Sequence, residues 1–211
     1  MTVKLILGVD PLAPMEFEEE RHPFDHPDWL FEIKYDGYRV LASTGKEARL
    51  MTRRGADATA WFPEVGESLQ KLPPGHVIDG EITVLDDMGR SNFQQVQTRA
   101  KARRRQEGLS FVTFCAFDLL VHRGKDGRGW WPLKARKEAL GRVLAPKPSA
   151  IRYVEHVVGK GKWLFDQVLE WQLEGMVAKR LDSIYRSGER TRDWLKIKRG
   201  ELSRPSDSGG S

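Results

Sequence analysis

Lys34, Asp36 and Arg39 stand together in Lys34-Tyr35-Asp36-Gly37-Tyr38-Arg39, with Glu32 two places before the lysine. An amine held among carboxylates can lose its proton and attack an electrophile, which divides one hard transfer into two easier steps through a covalent intermediate. Lys34 is the candidate nucleophile. Asp36 is placed to hold it in its pose, and Glu32 to accept a hydrogen bond from an exocyclic amine of a base. Arg39, with its planar fork of donors, suits a phosphate or a ribose edge. Gly37 lacks a Cβ and lets the backbone turn or approach a ligand closely. These residue types at this spacing suit phosphoryl or nucleotidyl transfer; a strand with a salt-bridged, solvated face is the plainer alternative.

The element that must position them is a strand. Trp29, Phe31, Ile33 and Tyr35 alternate with Leu30, Glu32, Lys34 and Asp36, a period of two that predicts one apolar face and one face carrying the chemistry. Four prolines among acidic residues make 10–28 an irregular lead-in that wraps along the core. Val40–Thr44 and Ala48–Thr52 read as a hairpin returning beside the first strand. Residues 57–71 carry apolar side chains at helical spacing until Pro73-Pro74-Gly75 stops them. Val77–Leu85 reads as a strand with Asp79, Glu81 and Thr83 on one face, followed by a turn at Asp86 and Asp87. Ser91 is placed to cap a helix over 92–106, whose basic end includes Arg99, Lys101, Arg103, Arg104 and Arg105. That cluster is the candidate for sequence-independent contact with DNA phosphates, set against a merely solvated helical face. Residues 109–121 read as a buried strand, 133–144 as an amphipathic helix with Leu133, Leu140, Val143 and Leu144 inward, and 151–158 as a strand. A helix over 163–171 follows, then a mobile polar loop over 182–192 and a closing strand that aligns Trp194, Lys196 and Lys198.

The 211 residues suffice for one large domain with a substantial core. Lys and Arg number 35 against 30 Asp and Glu, a net charge of +5 with a pI near 9.3, which fits a nucleic-acid partner. Cys115 is the only cysteine, so no intrachain disulfide forms, and a reducing, cytosolic compartment is expected. His22 and His26 lack a third ligand nearby and read as structural. No stretch has the length of a membrane span or of a signal peptide's apolar run.

Lys34–Arg39 resembles the Lys-x-Asp-Gly-x-Arg signature of the covalent nucleotidyltransferases: ATP-dependent DNA ligases, RNA ligases and mRNA capping enzymes. Further stretches resemble that family's motifs in order. Thr52-Arg53-Arg54-Gly55 is similar to Ser/Thr-Arg-x-Gly, Asp79-Gly80-Glu81 to the Asp-Gly-Glu motif, and the strand holding Phe117 to the aromatic motif. Glu174-Gly175-Met176-Val177 is similar to Glu-Gly-x-Val, and Lys196-Ile197-Lys198 to the closing Lys-x-Lys. The entry Phe24–Glu32 looks most like the ligase module of bacterial end-joining ligases.

The resemblance implies an α+β fold of mainly antiparallel sheets flanked by helices, with the nucleotide in the groove between them. It implies Arg53 on the nucleotide and then on the 5′-phosphate of a nick, Glu81 on the ribose hydroxyls, and Phe117 stacked on the purine. It places Glu174 at the divalent metal, Mg²⁺ or Mn²⁺, and Lys196 and Lys198 at the α-phosphate of ATP. The implied product is AMP held on Lys34, for sealing nicked or broken double-stranded DNA in the bacterial cytosol or nucleoid. Residues 1–200 are expected to form the adenylation domain and 201–211 a disordered tail, with no OB-fold. A separate OB-fold chain or an end-joining protein is therefore an expected partner. An RNA ligase or capping-type enzyme, or a non-catalytic module binding DNA ends, remain the alternatives.

Overall fold

A computed structural model describes residues 13–103 and 108–201. Its elements are β1 (Glu16–Glu19), β2 (Trp29–Lys34), β3 (Tyr38–Ser43), β4 (Leu50–Thr52), α1 (Pro63–Gln70), β5 (Val77–Thr83), α2 (Phe93–Ala102), β6 (Thr113–His122) and β7 (Lys125–Asp126). There follow α3 (Leu133–Val143), β8 (Ile151–Tyr153), β9 (His156–Val158), α4 (Gly161–Glu170), β10 (Gly175–Arg180) and β11 (Arg190–Lys198). One sheet runs β1-β11-β10-β2-β9 and the other β4-β3-β5-β6-β7, with β8 beside β6. Pairing is antiparallel except for β1 with β11 and β8 with β6. The expected α+β architecture of mainly antiparallel sheets is the one observed.

Alternation along each strand divides the apolar residues into three cores. Val40, Ala42, Ile78, Ile82, Phe114 and Ala116 turn outward from the second sheet to meet Val65, Leu69, Val96 and Leu140 of the helices. Phe31, Met176, Ala178, Leu195 and Ile197 turn outward from the first sheet to meet Leu164, Phe165 and Val168 of α4. Between the sheets lie Met15, Leu41, Cys115, Phe117, Leu120, Tyr185 and Trp194.

The chain crosses from the first sheet to the second at 35–37 and returns at 154–155. The first crossing carries the Lys34-x-Asp36-Gly37 stretch, and Gly37 is needed there: a Cβ would lie 2.1 Å from the Ile82 carbonyl oxygen. The Asp36 N–H donates to Ser91 Oγ at 3.1 Å, and the Asp36 carbonyl accepts from Thr83 Oγ1 at 2.7 Å. The turn is thereby pinned on both sides.

Several sequence expectations need correction. The hairpin forms, but in the second sheet, beside β5 rather than beside the nucleophile strand. The lead-in is not wholly irregular, since β1 pairs with β11. The helix expected over 57–71 is a 3₁₀ turn, Thr59–Trp61, and then α1, because Pro63 fits only the first turn of a helix. Asn92, not Ser91, caps α2 by accepting from the Gln95 N–H, and the helix ends at Ala102 with Arg103 left-handed at φ 52°. The strand expected over 151–158 is two strands, one in each sheet. Tyr185, assigned to a mobile loop, is buried and donates to Asp79 Oδ2 at 2.7 Å.

Candidate active site

Register assembles the site across the first sheet. Lys34 pairs with Gly175 and Gly175 with Lys198, while Glu32 pairs with Val177 and Val177 with Lys196. Cross-strand neighbours point the same way, so Lys34, Lys196, Lys198 and Glu32 share the face turned toward the second sheet. Arg39 and Glu81 are themselves register partners on the second sheet. Glu32, Lys34, Glu81, Phe117, Val177, Lys179 and Phe17 line one cavity of about 40 Å³, room for water but not for a purine. A larger cavity of about 210 Å³ opens at the end of β2, where Lys34, Asp36, Arg90, Ser91, Glu174 and Arg199 meet.

Lys34 Nζ lies 2.8 Å from Glu174 Oε2 and 2.7 Å from its other oxygen. Glu174, not Asp36, therefore holds the candidate nucleophile. Burial pushes the Glu174 carboxyl above its usual value, against the pull of Lys34. Burial likewise pushes Glu81 up to about 8, against Arg39 and Lys34. Two carboxyls beside one amine are thus both shifted upward by burial, an environment that occurs at functional sites.

Glu32 does not face solvent. Its two oxygens accept from Lys137 Nζ and Lys179 Nζ, each at 2.6 Å, and all three side chains are buried. Burial would raise the Glu32 carboxyl, but the two ammonium groups outweigh it and hold it low. Lys179 also lies 4.1 Å from the centroid of the Phe117 ring. The Arg39 fork is turned onto Asp79, at 3.0 and 2.7 Å, and its guanidinium sits over Phe17, Phe117 and Trp194. Arg53 pairs with Glu16, and Lys196 with Glu19 at 2.8 Å.

The basic patch is only partly as expected. Arg99 is buried, and one guanidinium nitrogen donates to both oxygens of Glu64 at 2.9 Å, so it cannot reach a DNA phosphate. The inward turn of α2 that buries Val96 and Ala100 brings Arg99 with them. Lys101 and Arg103 are exposed, and Arg103 sits 5.5 Å from the centroid of the Trp61 ring. Arg104 and Arg105 lie outside the described residues.

Lys137, Lys179 and Thr83 have no functional role in the sequence reading, and Ser91 only that of a helix cap. Lys137 had a signal: it follows Leu133 by four residues and precedes Leu140 by three, so it occupies the inward stripe of α3. Asp118 has a similar hidden partner in Arg136, bonded at 2.8 and 3.0 Å with both side chains fully buried.

Comparison with known proteins bears directly on this arrangement. The family described as ATP dependent DNA ligase domain matches residues 14–198. The chain belongs to that family. It is 30% identical over 189 residues to the SPbeta prophage-derived DNA ligase-like protein LigB of Bacillus subtilis, covering 88% of this chain and 67% of that one. It is 37% identical over 172 residues to the multifunctional non-homologous end joining DNA repair protein LigD of Mycobacterium tuberculosis, covering 81% of this chain but 21% of LigD. Among solved structures, mycobacterial DNA ligase D complexed with ATP and MES matches with a TM-score of 0.75 and 32% identity, over 89% of this chain and 60% of that one. The chain thus spans only part of these ligases, and its likeness is to their adenylation domain. No described helix is long and apolar enough to cross a membrane.

Proposed function

We propose that this chain accepts AMP from ATP onto Lys34 and passes it to the 5′-phosphate of a nick or break in double-stranded DNA. The observation that carries the reading is the Lys34–Glu174 contact at the end of β2, flanked across Gly175 by Lys198 and faced by Glu81 and Phe117. The Lys34 ammonium must lose a proton before it can attack, and the raised Glu174 carboxyl, in direct contact, is the acceptor. A bond then forms between Nζ and the α-phosphorus as the bond to the bridging oxygen breaks, and pyrophosphate leaves with that electron pair. Lys196 and Lys198 lie on the same face and offset charge on the α-phosphate oxygens. For the purine to enter beside Phe117, the Lys179 and Phe17 side chains must yield, because the cavity there is too small.

The donor set fits Mg²⁺ or Mn²⁺ arriving with the nucleotide. Among the described residues no cluster of three or more acids, histidines or cysteines could hold a metal alone. Glu174 and Asp36 line the larger cavity together, so two carboxylates are available to a cation whose other ligands are water and phosphate oxygens. Such a cation would neutralise phosphate charge. The reading brings with it a bacterial cytosolic or nucleoid location and, as further partners, an OB-fold or end-joining protein.

The test is sealing of a singly nicked duplex with ATP and Mg²⁺, beside GTP and beside an RNA nick. ATP-dependent joining of the DNA nick, weaker with GTP and on RNA, is expected; equal use of GTP or preferential joining of RNA contradicts it.

Glu81 gives the reading a pH signature. Its value in the fold, about 8, lies above the ordinary 4.5, so between these limits the folded chain keeps a proton that a free carboxyl would release. Ribose hydroxyls donate best to the ionised form. ATP affinity should rise about tenfold per pH unit up to pH 8 and level off above it. A Glu81→Gln variant should bind weakly with no such slope; titration calorimetry between pH 6.5 and 9 reads both.

Ser91→Ala removes one anchor of the Asp36 turn. The expected result is a fall of about tenfold in the rate of AMP transfer to Lys34 with little change in the KM for ATP. Ser91→Thr should restore the rate. An unchanged rate in Ser91→Ala would leave the anchor with no part in alignment.

A further inference from the structure

Four of the five residues from Glu16 to Glu20 are acidic, and β1 lays them against cations. The two Glu16 carboxylate oxygens each receive one guanidinium: Arg53 on one, Arg190 on the other at 2.6 Å. Glu19 meets Lys196 at 2.8 Å. Arg53 follows β4 in the second sheet, whereas Arg190 and Lys196 belong to β11 in the first, so Glu16 ties the two sheets together at the edge of the groove. The strand does not depend on these charges for its place. Phe17, between them, stacks on Trp194 with centroids 5.4 Å apart, and the β1 backbone pairs with β11.

The Arg53 and Arg190 side chains are 62% and 55% exposed, and Glu19 is 55% exposed. Ion pairs in water contribute little, so exchange of a carboxylate for another anion is nearly neutral. A phosphodiester is such an anion, and two guanidinium groups sharing one carboxylate already have the geometry for its oxygens. At these contacts three cations meet two carboxylates.

We propose that Arg53, Arg190 and Lys196 form a track for the phosphates of the DNA backbone, with Glu16 and Glu19 as resident counter-ions that phosphates replace when DNA binds. The proposal rests on the DNA-sealing reading above, and it adds Arg190 to the contact surface. Each displaced carboxylate must recruit a cation from solution, which subtracts from the counter-ions released by the DNA. The two glutamates therefore weaken DNA binding and flatten its salt dependence.

The experiment measures Kd for a nicked duplex by fluorescence anisotropy between 50 and 200 mM salt, both chosen from the range over which such contacts respond. The full chain is compared with Glu16→Gln/Glu19→Gln and with a control of equal charge, Glu67→Gln/Glu170→Gln, at two exposed positions away from the track. Relative to the control, the first variant should bind about fivefold more tightly at low salt, with a slope of log Kd against log salt steeper by about one to two. Arg190→Gln added to that variant should reverse part of the gain, whereas an Arg190 that served only to hold Glu16 would then have no effect. A variant that matches the control overturns the proposal. A gain seen in the KM for ATP and not in DNA affinity also overturns it, and assigns the cations to the nucleotide. Absence of AMP transfer to Lys34 in the unmodified chain would count against the sealing reading alone, because DNA affinity is measured separately.

Discussion

Glu32→Ala is expected to destabilise the fold by about 3–5 kcal/mol, because it removes the carboxylate bonded to the two buried ammonium groups of Lys137 and Lys179. Lys137 reaches it from α3 and Lys179 from β10, so a single side chain joins the helix to the first sheet. Burial already lowers the Lys179 ammonium, and without Glu32 it would have to lose its proton or draw in water, while Lys137 would lose its buried carboxylate partner. Urea denaturation followed by circular dichroism gives the size of the loss. The variant Glu32→Leu/Lys137→Met/Lys179→Met should recover most of it, since apolar side chains of similar volume can replace a buried ion cluster. A loss below about 1 kcal/mol for Glu32→Ala would mean that the site is wetter than its burial implies.

Gly37→Ala should reduce AMP transfer to Lys34 by about 100-fold or more, with a smaller effect on stability. The added methyl would meet the Ile82 oxygen at 2.1 Å and the Ile82 carbonyl carbon at 2.9 Å. Those atoms belong to β5, which is held by pairing with β3 on one side and β6 on the other. The crossing must therefore move, taking the Asp36 anchors with it and displacing Lys34 from Glu174. Single-turnover labelling under saturating ATP measures the effect; a rate within threefold of the unmodified chain would show that the crossing has slack. That threshold is set by the rule that misplacement by about 1 Å can cost about 100-fold.

What could be read from sequence was local in character. The alternation in Trp29–Lys34 and in Trp194–Lys198 is a property of neighbouring residues, and both strands formed. The same alternation misled about exposure: the face bearing Glu32 was expected to carry accessible chemistry, yet it is covered by the second sheet, with which no periodicity could pair it. Arg99 was assigned to the surface because its neighbours are basic, whereas the approach of Glu64 from α1 gives it a buried carboxylate partner. Glu64 is 35 residues away in sequence. Tyr185 and β1 were missed for the same reason, since their partners are 106 residues away at Asp79 for the one and along β11 for the other. Lys34, Glu81, Phe117, Glu174, Lys196 and Lys198 could be singled out together only through family resemblance. The structure brings them to facing sides of one groove.

The measurement that bears most directly on the chemistry is incubation of the chain with α-labelled ATP and Mg²⁺, beside Lys34→Ala. An acid-labile, alkali-stable label on the unmodified chain and none on Lys34→Ala is the predicted result. Label on both would mean that another side chain is the nucleophile, and label on neither, with both chains folded, would contradict AMP transfer by this domain.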